Sequence, residues 1–338
     1  MKTIDGRKPK FHPNCLFLSW TTDGPTPQYT ATWCSYYDID LKAVKWSSRI
    51  KWKDLKSEIL VATDYVGQPF TVVASNPYRN KSYLKSHLQK VIRRSNAYKA
   101  LKTAWHYIDL DLHDFLRRLA IIAIEDCLPL EGFSTLIWFM AATSKGYALN
   151  MEQICWVLGY VYDLAKTDSY EQFEHKDLSL RQIRMRTLSQ EGKDLVYSIM
   201  FRQAYGGMSG DKKMCSQAGY IWSARYQTKS LFISKRARKI IFVSPPSNVM
   251  STAEWVIPAI DFHCCPNIIT AMWEKHDDIS EEKIKSAIWH CSSSVTNKIN
   301  IAPDLGQRDC ANKELQAIWK TIRKDFLSYA RFMLDKNH

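Results

Sequence analysis

LKSHLQKVIRRSNAYKALKTAWHYIDLDLHDFLRRLAIIAIED, residues 84–126, is the stretch that decides the fold. Its first part repeats apolar residues such as Leu84 and Leu88 at helical spacing, which predicts one buried stripe. A second helix is predicted over 97–108. A third begins at about Leu112 and is apolar nearly all round, so we expect it to be a central helix.

The charges of this stretch need an explanation. Glu125 and Asp126 end the third helix, where the helix dipole favours cations. We therefore predict an ion-pair knot that fixes how the helices cross, while the basic face from Lys85 to Arg94 is expected to be exposed. The nearest cations in sequence that can compensate the two acids are Arg93, Arg94, Arg117 and Arg118.

LQK-x-IRR followed by RRL-x-IIA-x-ED resembles the helical C-terminal, collar-like region of one protein family. This is the MgsA/RarA/Werner-helicase-interacting-protein family of clamp-loader-related AAA+ ATPases. Ala204-Tyr205-Gly206-Gly207-Met208 is similar, less closely, to phage and plasmid relatives. The matching positions are Leu88, Gln89, Lys90, Ile92, Arg93, Arg117, Arg118, Leu119, Ile122, Ala123, Glu125 and Asp126.

The resemblance implies a helical scaffold that works beside DNA replication, recombination or repair. It does not extend to the ATPase core of the family, because the chain has no GxxxxGK[ST] sequence. We therefore expect no P-loop nucleotide site, no ATP hydrolysis and no cofactor.

The composition favours a basic, globular, intracellular protein. Apolar residues make up 46% of the 338, enough for a core, and the net charge of +13 favours a polyanionic partner, nucleic acid before anionic membrane. Nine cysteines without a CxxC pair indicate reduced thiols. The N-terminus has no apolar leader segment, and the longest aliphatic run, Leu119–Ile124, is too short to cross a bilayer. We expect a soluble protein.

The fold class predicted from these patterns is mainly α, with a multi-helix, collar-like body and a small N-terminal β-containing region. The predicted divisions are 1–79 for the β-containing region, 80–230 for the helical body, and 231–338 for a basic loop, a short strand and C-terminal helices. Short runs of aromatic and β-branched residues between turn signals predict strands at Leu16–Trp20, Tyr29–Tyr37, Ile59–Thr63 and Phe70–Ala74.

Three basic segments are candidates for phosphate contact. Residues 42–56 interleave cations with tryptophans, which suits either base stacking or, as we favour, a strand with a buried tryptophan face and a solvated basic face. Gly206–Lys213 is either a phosphate-binding turn or an ordinary helix joint with Asp211 as N-cap. Lys235–Lys239 is a concentrated basic run before a predicted strand, Ile240–Val243. It is a phosphate contact, as we favour, a nuclear address or a solvated loop.

A second kind of site is suggested near the C-terminus. Asp261 and His263 lie among cysteines, and His290 stands beside Cys291, so these residues could hold zinc or act as acid, base or nucleophile. The spacing matches no recognised ligand pattern. Cys291 shares a helix face with apolar residues, which favours core packing. A long amphipathic helix is predicted over about 312–334, either packed on the body or docking a partner.

These observations predict a nucleic-acid-binding accessory protein of DNA replication, recombination or repair. One alternative is a nucleic-acid-modifying or -cleaving enzyme centred on Asp261, His263 and His290. Another is a phage or viral structural or assembly subunit. DNA is the expected partner, and replication proteins are further candidate partners. The sequence is also compatible with a homo-oligomer. The residues expected to contact phosphates are Lys85, Lys90, Arg93, Arg94, Lys212, Lys213, Lys235, Arg236, Arg238 and Lys239.

Overall fold

A computed structural model describes residues 14–21, 28–52, 57–71, 79–167, 185–233, 240–248, 250–257, 266–293 and 312–336. The chain divides into two compact units that interleave in sequence. The first unit takes 1–70, 129–153 and 173–239, and the second takes 71–128, 154–172 and 240–338. The predicted divisions at 79 and 230 differ from these, because the helices of 80–230 are shared between both units.

The described part of the chain is mainly helical with a small N-terminal sheet, which confirms the predicted fold class. Four strands form the sheet: β1 (Cys15–Thr21), β2 (Gln28–Cys34), β3 (Trp46–Trp52) and β4 (Ser57–Thr63). The helices are α1 (Lys81–Arg93), α2 (Ala97–Glu125), α3 (Phe133–Thr143), α4 (Met151–Lys166), α5 (Gln190–Ala204), α6 (Ser209–Thr228), α7 (Pro266–Lys275), α8 (Glu281–Ala287) and α9 (Lys313–Lys336).

The sheet of the first unit has the strand order β2-β1-β4-β3. Its two outer pairs are antiparallel, and the central β1 and β4 run parallel. Alternate residues of β2 are buried, and the sheet packs on helices, with α3 against β1, β2 and β4 and α5 against β2. Trp138 of α3 donates from Nε1 to the Ala62 carbonyl at 3.0 Å, and Trp33 of β2 donates from Nε1 to Ser198 Oγ at 2.9 Å.

The outer edge of β2 is closed by helix side chains. The Ala31 N–H donates to Thr135 Oγ1 at 3.1 Å, and the Trp33 N–H donates to Asp194 Oδ1 at 2.7 Å. Gln190 Nε2 donates to the Trp33 carbonyl at 2.9 Å. Side chains of α3 and α5 thus satisfy backbone groups that would otherwise form an open pairing edge. Burial raises the pKa of Asp194 to about 7, against the hydrogen bond from Trp33 that lowers it.

The basic, tryptophan-containing segment is a strand with two different faces. Trp52 of β3 is buried against Trp33 and Phe201, and Trp46 packs on Trp138. Arg49 and Lys51 point to the other face and are exposed. The favoured sequence interpretation is therefore confirmed, since Trp52 is unavailable for base stacking.

In the second unit, α2 consists of two segments joined at Asp111, whose backbone is non-helical. Asp111 Oδ1 accepts a hydrogen bond from the Asp114 N–H at 2.9 Å and so caps the second segment. Lys81 of α1 binds the other carboxylate oxygen at 2.5 Å. The two helices predicted on either side of Leu112 are confirmed as these two segments.

The strand predicted at Ile240–Val243 is wrong. This segment lies extended along α4, where the Val243 N–H donates to the Cys155 carbonyl at 3.0 Å instead of joining a sheet. A β-carbon added to Gly159 would stand 1.6 Å from the Ile241 carbonyl oxygen. The glycine is what lets the chain approach the helix this closely.

Phe70 and Thr71, the described part of the predicted strand Phe70–Ala74, are also outside any strand. The Phe70 N–H instead donates to the Leu149 carbonyl at 2.7 Å. Residues 72–74 lie outside the described residues.

The three C-terminal helices pack together. Ile318, Ile322 and Phe326 form the buried stripe of α9, which confirms the predicted amphipathic helix. Lys275 of α7 pairs with Asp325 of α9, and Lys283 of α8 pairs with Glu314 at 2.6 Å. Within the described ranges, no helix is long and apolar enough to cross a membrane.

We expect Gly159→Ala to lower the free energy of unfolding by about 2–3 kcal/mol, because the new methyl group must displace a backbone carbonyl. The matched control is Gly210→Ala in α6, where a β-carbon meets nothing within 4 Å. Alanine there should be neutral or stabilising by up to about 1 kcal/mol. Urea denaturation of both variants measures the difference, and equal effects would contradict the close packing of 240–243 on α4.

Candidate functional site

Five of the residues on which the sequence resemblance was based meet in one largely buried network between α1 and α2. Arg93 donates from Nε to Asp126 Oδ1, and its Nη2 lies 3.2 Å from Glu125 Oε1. Gln89 Nε2 donates to Glu125 Oε2 at 2.9 Å and to Asp126 Oδ2 at 2.7 Å. Arg118 donates from Nη2 to Gln89 Oε1. We call these five residues the α1–α2 network.

The network explains the two acids at the end of α2. Burial alone would lower the pKa of Arg93, but Asp126 and Glu125 raise it, so the guanidinium stays charged. Burial raises the pKa of Glu125, and the neighbouring Asp126 adds to this effect. The predicted ion-pair knot is therefore confirmed, with Arg93 as the direct partner and Arg118 acting through Gln89.

The same network corrects the expected exposure of the Lys85–Arg94 face. Lys90 is 1% exposed and Arg93 6% exposed, so neither is displayed to a partner. Lys85 is partly exposed but pairs with Asp114 at 2.7 Å. Arg94 is half-buried, and burial followed by the charge of Arg93 lowers its pKa to about 10. The expected exposure of the Lys85–Arg94 face was wrong. The spacing of residues in the sequence shows which of them share a face of α1, but it does not show that another helix covers that face.

Two buried histidines hold the segment 250–256 against α1 and α2. His87 Nε2 accepts from the Val256 N–H at 2.9 Å, and His106 Nε2 accepts from the Met250 N–H at 3.1 Å. Burial, reinforced by nearby cations, lowers the pKa of His87 to about 3 and that of His106 to about 4. Both rings are therefore neutral acceptors. The sequence did not single out these histidines, because their partners are backbone groups about 150 residues away.

The histidines predict a loss of stability in acid. In the unfolded chain the pKa of each histidine is near 6.5, well above its pKa in the folded protein. As the pH falls below 6.5, protons therefore bind the unfolded chain more readily than the folded one. The free energy of unfolding is highest above that pH and decreases toward pH 4. Between about pH 7 and 5 the loss should reach up to about 2 kcal/mol per histidine.

His87→Gln/His106→Gln keeps an acceptor at both places without titrating. Denaturant titrations of both proteins at the two pH values should show a smaller acid loss for the variant. An identical loss in wild type and variant would contradict the assignment.

The Gly206–Lys213 turn joins α5 to α6. Gly206 and Gly207 have φ angles of +97° and +138°, and the Gly206 carbonyl accepts from Arg202 Nη1 at 2.7 Å. The expectation that Asp211 is the N-cap is wrong, because α6 begins at Ser209 and its N-cap residue is Met208, which makes no side-chain cap.

Lys212 and Lys213 are exposed near the start of α6. They are therefore displayed for phosphate contact, unlike Lys90 and Arg93. They belong to the first unit, whereas the α1–α2 network belongs to the second.

The predicted catalytic cluster can be followed only in part. Asp261, His263 and the basic run Lys235–Lys239 lie outside the described residues. His290 is exposed on a π-helical turn that follows α8. Cys291 is buried and its Sγ lies 3.7 Å from the Leu315 carbonyl, which confirms its packing role. Among the residues that the structure describes, no three His, Cys, Asp or Glu side chains are grouped to hold a metal ion.

One basic surface was not singled out by sequence reasoning. Four cations on α9, spaced by seven, four and seven residues, fall within about 40° of the helix circumference, since each residue advances about 100°. All four are exposed, and the helix buries its opposite face. The spacing of these four cations in the sequence indicates the surface, but the prediction for this helix was based on its apolar stripe. We call this surface the α9 ridge; it consists of Lys313, Lys320, Lys324 and Arg331.

Comparison with protein-family models, with curated proteins and with solved structures found no match for this chain.

Proposed function

We propose that the protein binds nucleic acid, DNA first, as an accessory factor of replication, recombination or repair that does not hydrolyse ATP. The observation that carries the proposal is the α9 ridge. The ridge runs for about 27 Å along the helix, a length over which duplex DNA presents many phosphates. The net charge of +13 supports the same class of partner.

The ridge is not neutralised by its own helix. Of the three acids on α9, Glu314 and Asp325 are engaged by Lys283 and by Lys275, and Asp335, four residues after Arg331, forms no ion pair with it. Over the described ranges, none of the four ridge cations forms an ion pair. Their charge is therefore available to an external anion.

Lysine and arginine on such a surface would bind mainly by releasing counterions from the phosphate backbone. This mode gives affinity without base readout, and it suits a factor that must engage any DNA sequence. Lys212 and Lys213 of the first unit are exposed too and are a separate candidate for phosphate contact. The resemblance of the α1–α2 segment to clamp-loader-related proteins supports the choice of replication, recombination or repair, and the absence of a GxxxxGK[ST] sequence supports a role without ATP.

Lys320→Gln/Lys324→Gln tests the proposal. Removing two phosphate contacts should weaken binding to a labelled DNA duplex and reduce the slope of log K against log salt by about 2. Lys145→Gln/Lys229→Gln removes the same charge from exposed positions of the first unit that lie outside the candidate phosphate contacts, and should change the slope much less. Fluorescence anisotropy over a series of salt concentrations, with duplex and single-stranded DNA and RNA, gives the slopes. Binding that does not depend on salt, or equal slopes for both variants, would overturn the proposal.

A second candidate function, an assembly subunit, is favoured by the turn between α7 and α8. Its exposed residues Glu274, Asp277, Asp278, Glu281 and Glu282 form an acidic surface on the helical unit that carries the ridge. The ridge of one copy could therefore bind the acidic turn of another. If light scattering shows an oligomer that the ridge variant dissociates while DNA binding is absent, this second function is supported instead.

A further inference from the structure

Cys15 and Cys34 stand directly opposite each other on the antiparallel strands β1 and β2. The N–H groups of Ala31 and Trp33 point away from β1, because they donate to Thr135 and Asp194. In an antiparallel ladder the N–H groups of successive residues point alternately toward and away from the neighbouring strand. The N–H group of Cys34 therefore points toward β1, so the backbones of Cys15 and Cys34 form a hydrogen-bonded pair. The Cα separation of such a pair is about 5.5 Å. Disulfides form at Cα separations of about 4.4–6.8 Å.

The two thiols differ in exposure and acidity. Cys15 is fully buried, whereas Cys34 is half-buried. The interaction between the two neighbouring thiols lowers the pKa of Cys34 and, together with burial, raises that of Cys15 beyond its ordinary range. Cys34 is therefore suited to attack an oxidant, and Cys15 is held in place to react with the product.

We propose that Cys15 and Cys34 form a redox modification site, which a hydroperoxide converts into a cross-strand disulfide and a thiol reductant restores. The Cys34 sulfur attacks a peroxide oxygen, the O–O bond breaks, and a sulfenic acid and one water result. The Cys15 sulfur then attacks the Cys34 sulfur, the S–O bond breaks, and a second water leaves with the thiol proton. Two thiols are oxidised by two electrons, and one hydrogen peroxide is reduced to two waters.

Other described cysteines are less suited to this chemistry. Cys215 is buried, and burial raises its pKa to about 12, so little thiolate is available for attack. The β1–β2 pair combines a neighbouring thiol, an incompletely buried Cys34 and a Cα separation within the range of disulfides. The bond would fix the register of β1 and β2 at the strand end where they pair.

The test is peptide mapping of the full chain after hydrogen peroxide treatment and alkylation of the remaining thiols. No Lys or Arg lies between the two cysteines, so trypsin leaves both in one peptide, residues 11–42. We expect this peptide to escape alkylation, with a mass about 2 Da below that of its reduced form. Chymotrypsin, which can cut between them at Trp20 and Tyr29, should then leave two fragments that separate only after dithiothreitol.

Variants assign the order of attack. In Cys15→Ser the reaction should stop at a Cys34 sulfenic acid, which dimedone traps, whereas Cys34→Ser should leave Cys15 reduced and the peroxide unreacted at this site. Cys215→Ser is the control and should form the bond as the wild type does. Full alkylation of both cysteines in peroxide-treated wild type, or a bond from Cys34 to any other cysteine, would overturn the proposal.

Discussion

The buried charge of Arg93 is the constraint on which the helical part of the second unit depends. A guanidinium that is 6% exposed has lost most of its water, so it must be paired and hydrogen-bonded in full. Asp126 and Glu125 meet this need, with Gln89 donating to both of their carboxylates, only if the end of α2 lies beside the last turns of α1. The network thus fixes the register of the two helices, and it offsets the unfavourable position of two acids at a helix C-terminus.

Other buried polar groups act in the same way, each by holding a segment that lacks regular structure or a paired edge. His87 and His106 accept backbone N–H groups from 250–256, and Asp194 accepts one from the edge of β2. These bonds join residues that are distant in sequence. These buried polar bonds therefore lie inside both units, whereas the cations of the α9 ridge are exposed.

The features that could be predicted are those whose local sequence pattern is compatible with only one structure. The helical spacing of apolar residues predicted α1, both segments of α2 and the buried stripe of α9. The position of Glu125 and Asp126 at a helix C-terminus, with arginines nearby in sequence, predicted the ion-pair knot. It could not predict that Lys90 is covered, because burial of a lysine depends on what packs over it. Ile240–Val243 has the composition of a strand, and only the tertiary approach to Gly159 shows why it lies on a helix instead. The α9 ridge could have been predicted from the spacing of its four cations, because they recur on one side of a helix that was predicted correctly.

The most direct measurement of the central claim is a double-mutant cycle on the α1–α2 network. Arg93→Met and Asp126→Leu should each lower the free energy of unfolding by about 3–5 kcal/mol, because each removes one partner of a buried ion pair. The double variant should cost less than their sum by more than about 1 kcal/mol. The same cycle on the partly exposed pair Lys85 and Asp114 should give a coupling below about 1 kcal/mol. A coupling for Arg93 and Asp126 no larger than that of the surface pair would contradict the claim that the network fixes the helices.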